Sequence, residues 1–287
     1  MEIIHHIEDL QQRIQEIKQA KHTIGFVPTM GFLHDGHLRL VDQAKEDNSF
    51  VIMSIFVNPL QFGEGEDFER YPRNEQHDIQ LARHAGVDLL FIPSVDTMYK
   101  KTPSFQIKVV DRVHVLCGKS RPGHFDGVAT VLIKLFNLTL PNRVYFGLKD
   151  AQQVAVVSSL IEEFNFPIEL VAVETKREQD GLAKSSRNVY LDDEERRQAV
   201  HLYKSLTEAK IMILNGERDP HIIIQMIEES INNHTSGRID YIEILSYPDL
   251  KAIREIQGPI IIALAIKFKQ ARLIDNLIID LQEKEVE

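Results

Sequence analysis

Residues 23–57 read TIGFVPTMGFLHDGHLRLVDQAKEDNSFVIMSIFV. The run "TIGFVPT" is nearly all apolar and has strand length. "HLRLVDQAKED" repeats apolar residues at helical spacing, and "FVIMSIFV" is a second apolar strand. Two parallel strands need a crossover, and a helix of this length supplies one, so the stretch predicts a βαβ unit. The same alternation continues outward. "HDIQLARHAG" reads as a helix, "VDLLFIP" as a strand, "GVATVLIKLFNLTL" as a long apolar helix, "RVYFGL" as a strand, "AQQVAVVSSLIEEF" as a helix and "IELVAVE" as a strand. Strands without a polar face belong to a sheet covered on both sides. The fold class expected is α/β: a Rossmann-like parallel sheet with helices on both faces. On the N-terminal side, residues 3–20 place Ile3, Ile7, Leu10, Ile14 and Ile17 on one helical stripe.

The pattern changes near residue 176. "KREQDGLAKSSRN" is a polar connector that reads as mobile. Two amphipathic helices follow, "DDEERRQAVHLYKSLTEAKIMIL" and "PHIIIQMIEESI", and then three strands, "DYIEILS", "PIIIALAIK" and "ARLIDNLII". The division expected is a Rossmann-like domain at 1–176 that binds the ligands and a smaller C-terminal α+β domain at 177–287 that covers the active site. The chain has 287 residues, 43% hydrophobic and 26% charged, an ordinary globular balance. Its net charge of −10 argues against charge-driven binding of nucleic acid. The longest apolar run, "PIIIALAI", is too short to span a bilayer, so no membrane partner is expected. A single cysteine, Cys117, excludes an intramolecular disulfide and a cysteine-based zinc cluster. The first residues match no targeting peptide, and the compartment expected is the cytoplasm.

In an open α/β sheet, ligands bind beyond the carboxyl ends of the strands. Polar residues collect there in four loops: "PTMGFLHDGH", "NPLQFGEGEDFERYPR", "GLKDAQQ" and "TKREQDGLAKSSRN". In the first loop, Gly31 and Gly36 allow close backbone approach, and Gly36 falls near a helix start that favours an anion. His34 and His37, three apart, can face one side as donors to phosphate oxygens. A metal site and a plain surface turn remain alternatives at this point. In the third loop, Lys149 can neutralise phosphate, Gln153 can reach the crevice, and Asp150 can meet a ribose hydroxyl or cap the helix beginning at Ala151. "KSSRN" sets hydroxyls beside cations, as nucleotide phosphates require, although a solvated linker would look the same. Asn58 and Gln61 offer neutral amides for hydroxyls and a carboxylate, or simply build a turn. In "RPGHFDGVAT", Asp126 reads as a helix cap, with Arg121 and His124 at the edge of a pocket.

"PTMGFLHDGH" resembles the HxGH signature of the nucleotidyltransferase-like superfamily, which class I aminoacyl-tRNA synthetases share. The ordered set "PTMGFLHDGH", "FVNPLQF", "RYPR", "RPGHFDGVATVLIKLFN", "YFGLKDAQQ", "DGLAKSSRN" and "RLIDN" is more specific. Over nearly the whole chain it is similar to the pantothenate synthetases. The resemblance implies that pantoate and ATP form pantoyl adenylate and pyrophosphate, and that β-alanine then displaces AMP to give pantothenate. It implies His34, His37, Lys149, Ser185, Ser186 and Arg187 as catalytic groups, with His37 often assigned as a proton donor. Met30, Gly31, Phe32, Leu33, Asp35 and Gly36 would line the nucleotide together with the two histidines. Gly147, Leu148, Lys149 and Asp150 would do the same, as would Lys176, Lys184, Ser185, Ser186 and Arg187. Gln61, Gln153 and Asn58 would hold pantoate, and Gln61 would also border β-alanine. Mg²⁺ would accompany ATP, with Asp78 as the candidate ligand. A homodimer is implied as well. Two positions depart from the family pattern: Lys176 and Lys184 stand where apolar residues are common, and the added charge would tighten ATP binding.

Overall fold

The computed structural model describes residues 1–100 and 103–281. In chain order the elements are β1 (Glu2–Ile4), α1 (Ile7–Gln19), β2 (Ile24–Thr29), α2 (Asp35–Asp47), β3 (Phe50–Ile55) and α3 (Glu75–Ala85). Next come β4 (Leu89–Phe91), α4 (Val95–Met98), α5 (Leu116–Ser120), α6 (His124–Thr139), β5 (Arg143–Gly147), α7 (Ala151–Glu163) and β6 (Glu169–Val173). The last are α8 (Asp193–Leu214), α9 (Pro220–His234), β7 (Arg238–Ser246), β8 (Ile260–Lys267) and β9 (Arg272–Ile279). The expected strand–helix alternation therefore holds through β6. Ile3 is an exception. It lies in β1, which pairs in parallel with β4, and not on the stripe of α1. Two adjacent β-branched residues at an unpaired sheet edge favoured strand over an extra helical turn.

The chain forms two compact units: Met1–Val110 with Arg121–Leu148 and Val156–Glu174, and Asp111–Ser120 with Lys149–Ala155 and Thr175–Glu287. In the first unit six parallel strands run in the order β1-β4-β3-β2-β5-β6. One face packs on α2 and α3 through Val27, Val51, Met53 and Leu90 of the strands with Val41, Ala44 and Ala82 of the helices. The alternate residues Phe26, Ile52, Leu89 and Phe91 point the other way and are equally buried, which is why these strands read as continuous apolar runs. Chain order reverses at β2, which pairs with β3 on one side and β5 on the other. That reversal is the switch point at which such sheets bind ligands, and the loop after β2 leaves from it.

The second unit is an antiparallel sheet, β7-β8-β9. Ile260, Ile262, Leu264 and Ile266 of β8 pack on α8 and α9 through Leu202, Leu206, Ile213, Ile223, Ile227 and Ile231. Ile261 and Ala263 face the opposite side, against Leu116, Ala151 and Ala155. The start of α8 is fixed by a capping box. Asp192 accepts from the Glu194 and Glu195 amides, and Glu195 reaches back to the Asp192 amide. The segments 111–120 and 149–155 belong to this unit, which the composition shift at 176 gave no reason to expect. The core of α9 sets the first test. Ile227 is fully buried and Ile222 on the same helix is 47% exposed. Ile227→Ala should cost about 2–5 kcal/mol in urea unfolding, and Ile222→Ala less than about 0.5 kcal/mol.

Candidate active site

The β2–α2 loop is built around one buried carboxylate. Asp78, on α3 and 1% exposed, accepts the Phe32 amide at 2.8 Å and the Leu33 amide at 2.7 Å. Gly31 and Phe32 are left-handed, at φ 82° and 50°. A Cβ on Gly31 would lie 2.9 Å from both Asp78 Oδ2 and Ile55 Cγ2, so only glycine fits there. Phe32 holds a conformation that costs a non-glycine residue on the order of 1–2 kcal/mol, and the two charge-assisted bonds beside it offset that strain. Asp78 was the candidate metal ligand, and in the fold it has a structural part as well. Its oxygens face backbone N–H groups inside the fold, where they position the loop. Among the described residues no group of three or more His, Cys, Asp or Glu side chains could hold a metal ion.

Beyond this turn α2 begins with a capping box made of imidazoles. His34 is the N-cap; its Nδ1 accepts the Gly36 amide at 3.1 Å and its side chain also accepts the amide of His37. His37 Nδ1 in turn accepts the His34 amide at 3.3 Å. The rings lie 4.1 Å apart between centroids. A neutral imidazole that accepts at Nδ1 carries its proton on Nε2. Both rings are therefore Nε2–H donors, at a helix end whose dipole favours negative charge.

The β3 loop supports the amide side chains. Asn58, 1% exposed, gives its amide N–H to Gln61 Oε1 at 3.2 Å and to the Gly127 carbonyl at 3.0 Å. Its oxygen receives the Leu60 amide at 3.2 Å and the Tyr99 hydroxyl at 2.9 Å. Burial pushes the Tyr99 hydroxyl well up, so it stays a donor. Asn58 thus orients the Gln61 side chain. Gln61 Nε2 lies 2.9 Å from Met30 Sδ, so the first and second loops meet. The Gln61 carbonyl is held by His124 Nδ1 at 2.8 Å and by Arg121 at 3.3 Å, and Arg121 is itself paired with Glu66. Arg121 and His124 are therefore braces for this loop. Gly127 lets α6 pack directly on the Leu60 backbone, where any Cβ would clash. Asp126 does not cap α6: Gly123 holds that position, and Asp126 accepts the Val109 amide at 2.8 Å. Met30, Phe32, Phe56, Val57, Arg73 and Asp78 help line a cleft of about 240 Å³ in this unit.

Gly147 closes β5 with open space where a Cβ would stand. Leu148–Asp150 form a 3₁₀ turn that runs straight into α7, with Gln153 half-buried in its first turn. Lys149 Nζ lies 3.7 Å from the Asp150 carboxylate. In the second unit the polar connector is folded. Arg177 and Ala183 bridge as antiparallel strands, and the Lys184 amide bonds the Lys176 carbonyl at 2.9 Å. Lys176 is exposed, while Lys184 pairs with Glu178 across this hairpin at 2.9 Å, so its added charge is answered locally. Ser185 caps a 3₁₀ turn over Ser186–Tyr190 by accepting the Arg187 amide at 3.3 Å. Lys149, Ser185, Asn188 and Asp275 line one small cavity of this unit, which brings the third and fourth loops together.

The pantoate-β-alanine ligase family model matches residues 2–278. The chain is 57% identical to the pantothenate synthetase of Geobacillus sp. strain WCH70, over 96% of its own length and 98% of the relative's. It belongs to the pantoate-β-alanine ligase family. It is therefore a ligase, and other members agree in sequence and fold. The pantothenate synthetase of Bacillus pumilus is 56% identical over 99% of this chain and 98% of that one. A crystal structure of pantothenate synthetase from Thermus thermophilus superposes with a TM-score of 0.91 at 42% identity, covering 96% of this chain and 99% of that chain. The pantoate-β-alanine ligase of Francisella tularensis, solved as a complex with β-γ ATP and β-alanine, superposes with a TM-score of 0.79 at 34% identity, over 96% and 97% of the two chains.

Burial pushes the Asp78 carboxyl above the usual carboxylate range, and the Leu33 and Phe32 amides oppose that shift only in part. The ionised form is the one that accepts both amides, so protonation as pH falls replaces an acceptor with a donor. The ligase should therefore lose kcat on an acid limb lying above the ordinary value of about 3.9. Asp78→Asn should lose about tenfold or more in kcat at neutral pH, the scale of a hydrogen bond to a charged group, and its pH–rate profile should lack that limb.

Proposed function

We propose that the chain condenses pantoate with β-alanine, using ATP, through a pantoyl-adenylate intermediate. A pantoate carboxylate oxygen attacks the α-phosphorus of ATP. The bond from that phosphorus to the bridging oxygen breaks, and pyrophosphate leaves. The β-alanine amine then attacks the acyl carbon, the bond to AMP breaks, the nitrogen loses a proton, and pantothenate and AMP are released. The first step concentrates negative charge on the α-phosphate oxygens, and groups that donate there lower its barrier most.

The observation that carries this reading is the imidazole capping box of α2, which presents two Nε2–H donors at the positive end of a helix dipole. His34 and His37 are proposed to hold the α-phosphate. Met30 and the 31–36 backbone, Gly147 and Leu148 are proposed to line the nucleotide, with Asp150 on the ribose. Lys149, Ser185, Ser186 and Arg187 are proposed to carry the β- and γ-phosphates, with Lys176 and Lys184 at the nucleotide's edge. Gln61 and Gln153 are proposed to take the pantoate hydroxyl and carboxylate, with Asn58 setting the Gln61 amide. Mg²⁺ belongs to the proposal as a companion of ATP, bound by phosphate oxygens and water as this ion prefers. Residues 1–176 supply the histidines and amides in this scheme together with Lys149 and Lys176, and the later residues supply Lys184 and Arg187 with the two serines. A cytoplasmic homodimer completes the proposal; both points rest on the family resemblance and on the sequence. No described helix is long and apolar enough to cross a membrane.

Purified protein with ATP, Mg²⁺, pantoate and β-alanine should release AMP, pyrophosphate and pantothenate in equal amounts. ADP as product would overturn the adenylate route. Pyrophosphate release that leaves AMP on the product, with no need of the amine, would indicate a nucleotidyltransferase. His37→Ala should lower the adenylate-forming rate by about 10²–10³, the usual scale for one such donor, with KM for ATP changed only a few-fold. The reverse split would reduce His37 to a binding contact. Lys184→Met should leave KM for ATP within about twofold, because Glu178 already answers that charge.

A further inference from the structure

The motif "RLIDN" in β9 has no part in the scheme so far. Its Asp275 and Asn276 are 2% and 7% exposed, polar residues in an otherwise apolar sheet. Successive residues of a strand point to opposite faces, so the pair reaches both sides of the sheet. Asp275 receives the Arg177 guanidinium in a two-point pair, at 2.7 and 2.9 Å. Arg177 also lies over the Tyr203 ring at 3.7 Å and donates to the Gly181 carbonyl at 3.1 Å, so it ties down the turn of the 176–184 hairpin. Asn188, at the far end of "KSSRN", donates to the Ala183 carbonyl at 3.1 Å. Asn276 donates its side-chain amide to the Lys149 carbonyl at 2.9 Å, and its own backbone N–H bonds Asp275 Oδ1 at 2.8 Å. One dipeptide thus anchors the backbone of Lys149 and the hairpin leading into Ser185, Ser186 and Arg187. Those two segments are far apart in sequence and share the cavity lined by Lys149, Ser185 and Asp275.

We infer that Asp275 and Asn276 are positioning residues that hold the two cation-bearing segments at the spacing pyrophosphate requires. The inference rests on the phosphate roles proposed for Lys149, Ser185, Ser186 and Arg187. Those groups would act on the β- and γ-phosphates, which depart with the first half-reaction. A displacement near 1 Å of such groups can cost up to about 100-fold in rate. The second half-reaction, β-alanine on pantoyl adenylate, involves no pyrophosphate and should not feel the displacement.

The test measures the two half-reactions separately on the full-length chain. Asn276→Ala should slow pyrophosphate release from ATP and pantoate by about 10- to 100-fold, while β-alanine attack on supplied pantoyl adenylate stays within about twofold. A merely structural residue would slow both halves together, and that outcome, or no change in either, overturns the inference. Asp275→Asn alone risks misfolding, since it leaves the partly buried Arg177 without its anion. The paired change Arg177→Met with Asp275→Leu removes both charges, and such replacements commonly preserve stability. It should keep the melting temperature and show the same loss confined to the first half-reaction; an unchanged first half-reaction in this variant overturns the role of Asp275. Lys149→Ala separates the two levels of the argument. If it leaves the first half-reaction intact, the phosphate reading itself fails. If it slows that step while Asn276→Ala does not, only the positioning role fails.

Discussion

A carboxylate taken out of water must be met by donors, and at Asp78 those donors are the backbone amides of Phe32 and Leu33. The course of the β2–α2 loop depends on this contact. With the amides tied inward, Gly31 and Phe32 turn left-handed, and His34 arrives extended at the start of α2, in position to cap it. The two imidazoles then spend one nitrogen each on the helix and keep the other as a donor. Three properties follow from this one constraint: the sharp turn, the cap and the orientation of the rings. No salt bridge at the surface could do the same, because water would compete for the amides.

The second unit uses the same device on a larger scale. Arg177, partly buried, and Asp275, buried, form a pair whose value lies less in net stability than in geometry, since desolvation cancels much of the attraction between such charges. The two parallel bonds of the guanidinium fix direction as well as distance. Placing Asp275 in β9, between two layers of apolar packing, gives the hairpin a rigid reference. The strand is stiff because β8 beside it is buried on both faces.

Local features of this architecture were legible in the sequence. The central strands β2, β3 and β4 were apolar runs because both of their faces are covered, and each long helix kept its stripe. The histidine pair was legible for the same reason: a motif within one turn of helix carries its own geometry. What the sequence hid was long-range. Nothing near Phe32 announces that its amide ends on Asp78, 46 residues away. Asp78 was singled out through the family resemblance as a companion of Mg²⁺, and only the fold reveals its bonds to the Phe32 and Leu33 amides. The partners that hold Asn58, Tyr99 and Gly127, come from distant elements and could not be read from its own loop. Arg177 and Asp275 are 98 residues apart, so the connector's polarity read as mobility. Ile3 misled for the opposite reason, since an edge strand of three residues is too short to show a period of its own.

The double duty of the histidines also bears on how such a motif would decay. Serine, asparagine and aspartate cap helices well, so the need for a cap does not by itself demand an imidazole. A codon for histidine becomes one for asparagine or aspartate by a single base change. A lineage released from selection on its chemistry could take that step at His34, keep α2 intact, and lose the donor proposed to hold phosphate without any sign of misfolding. In such descendants the fold would be a poor witness to activity. The identity of the two capping side chains would be a better one.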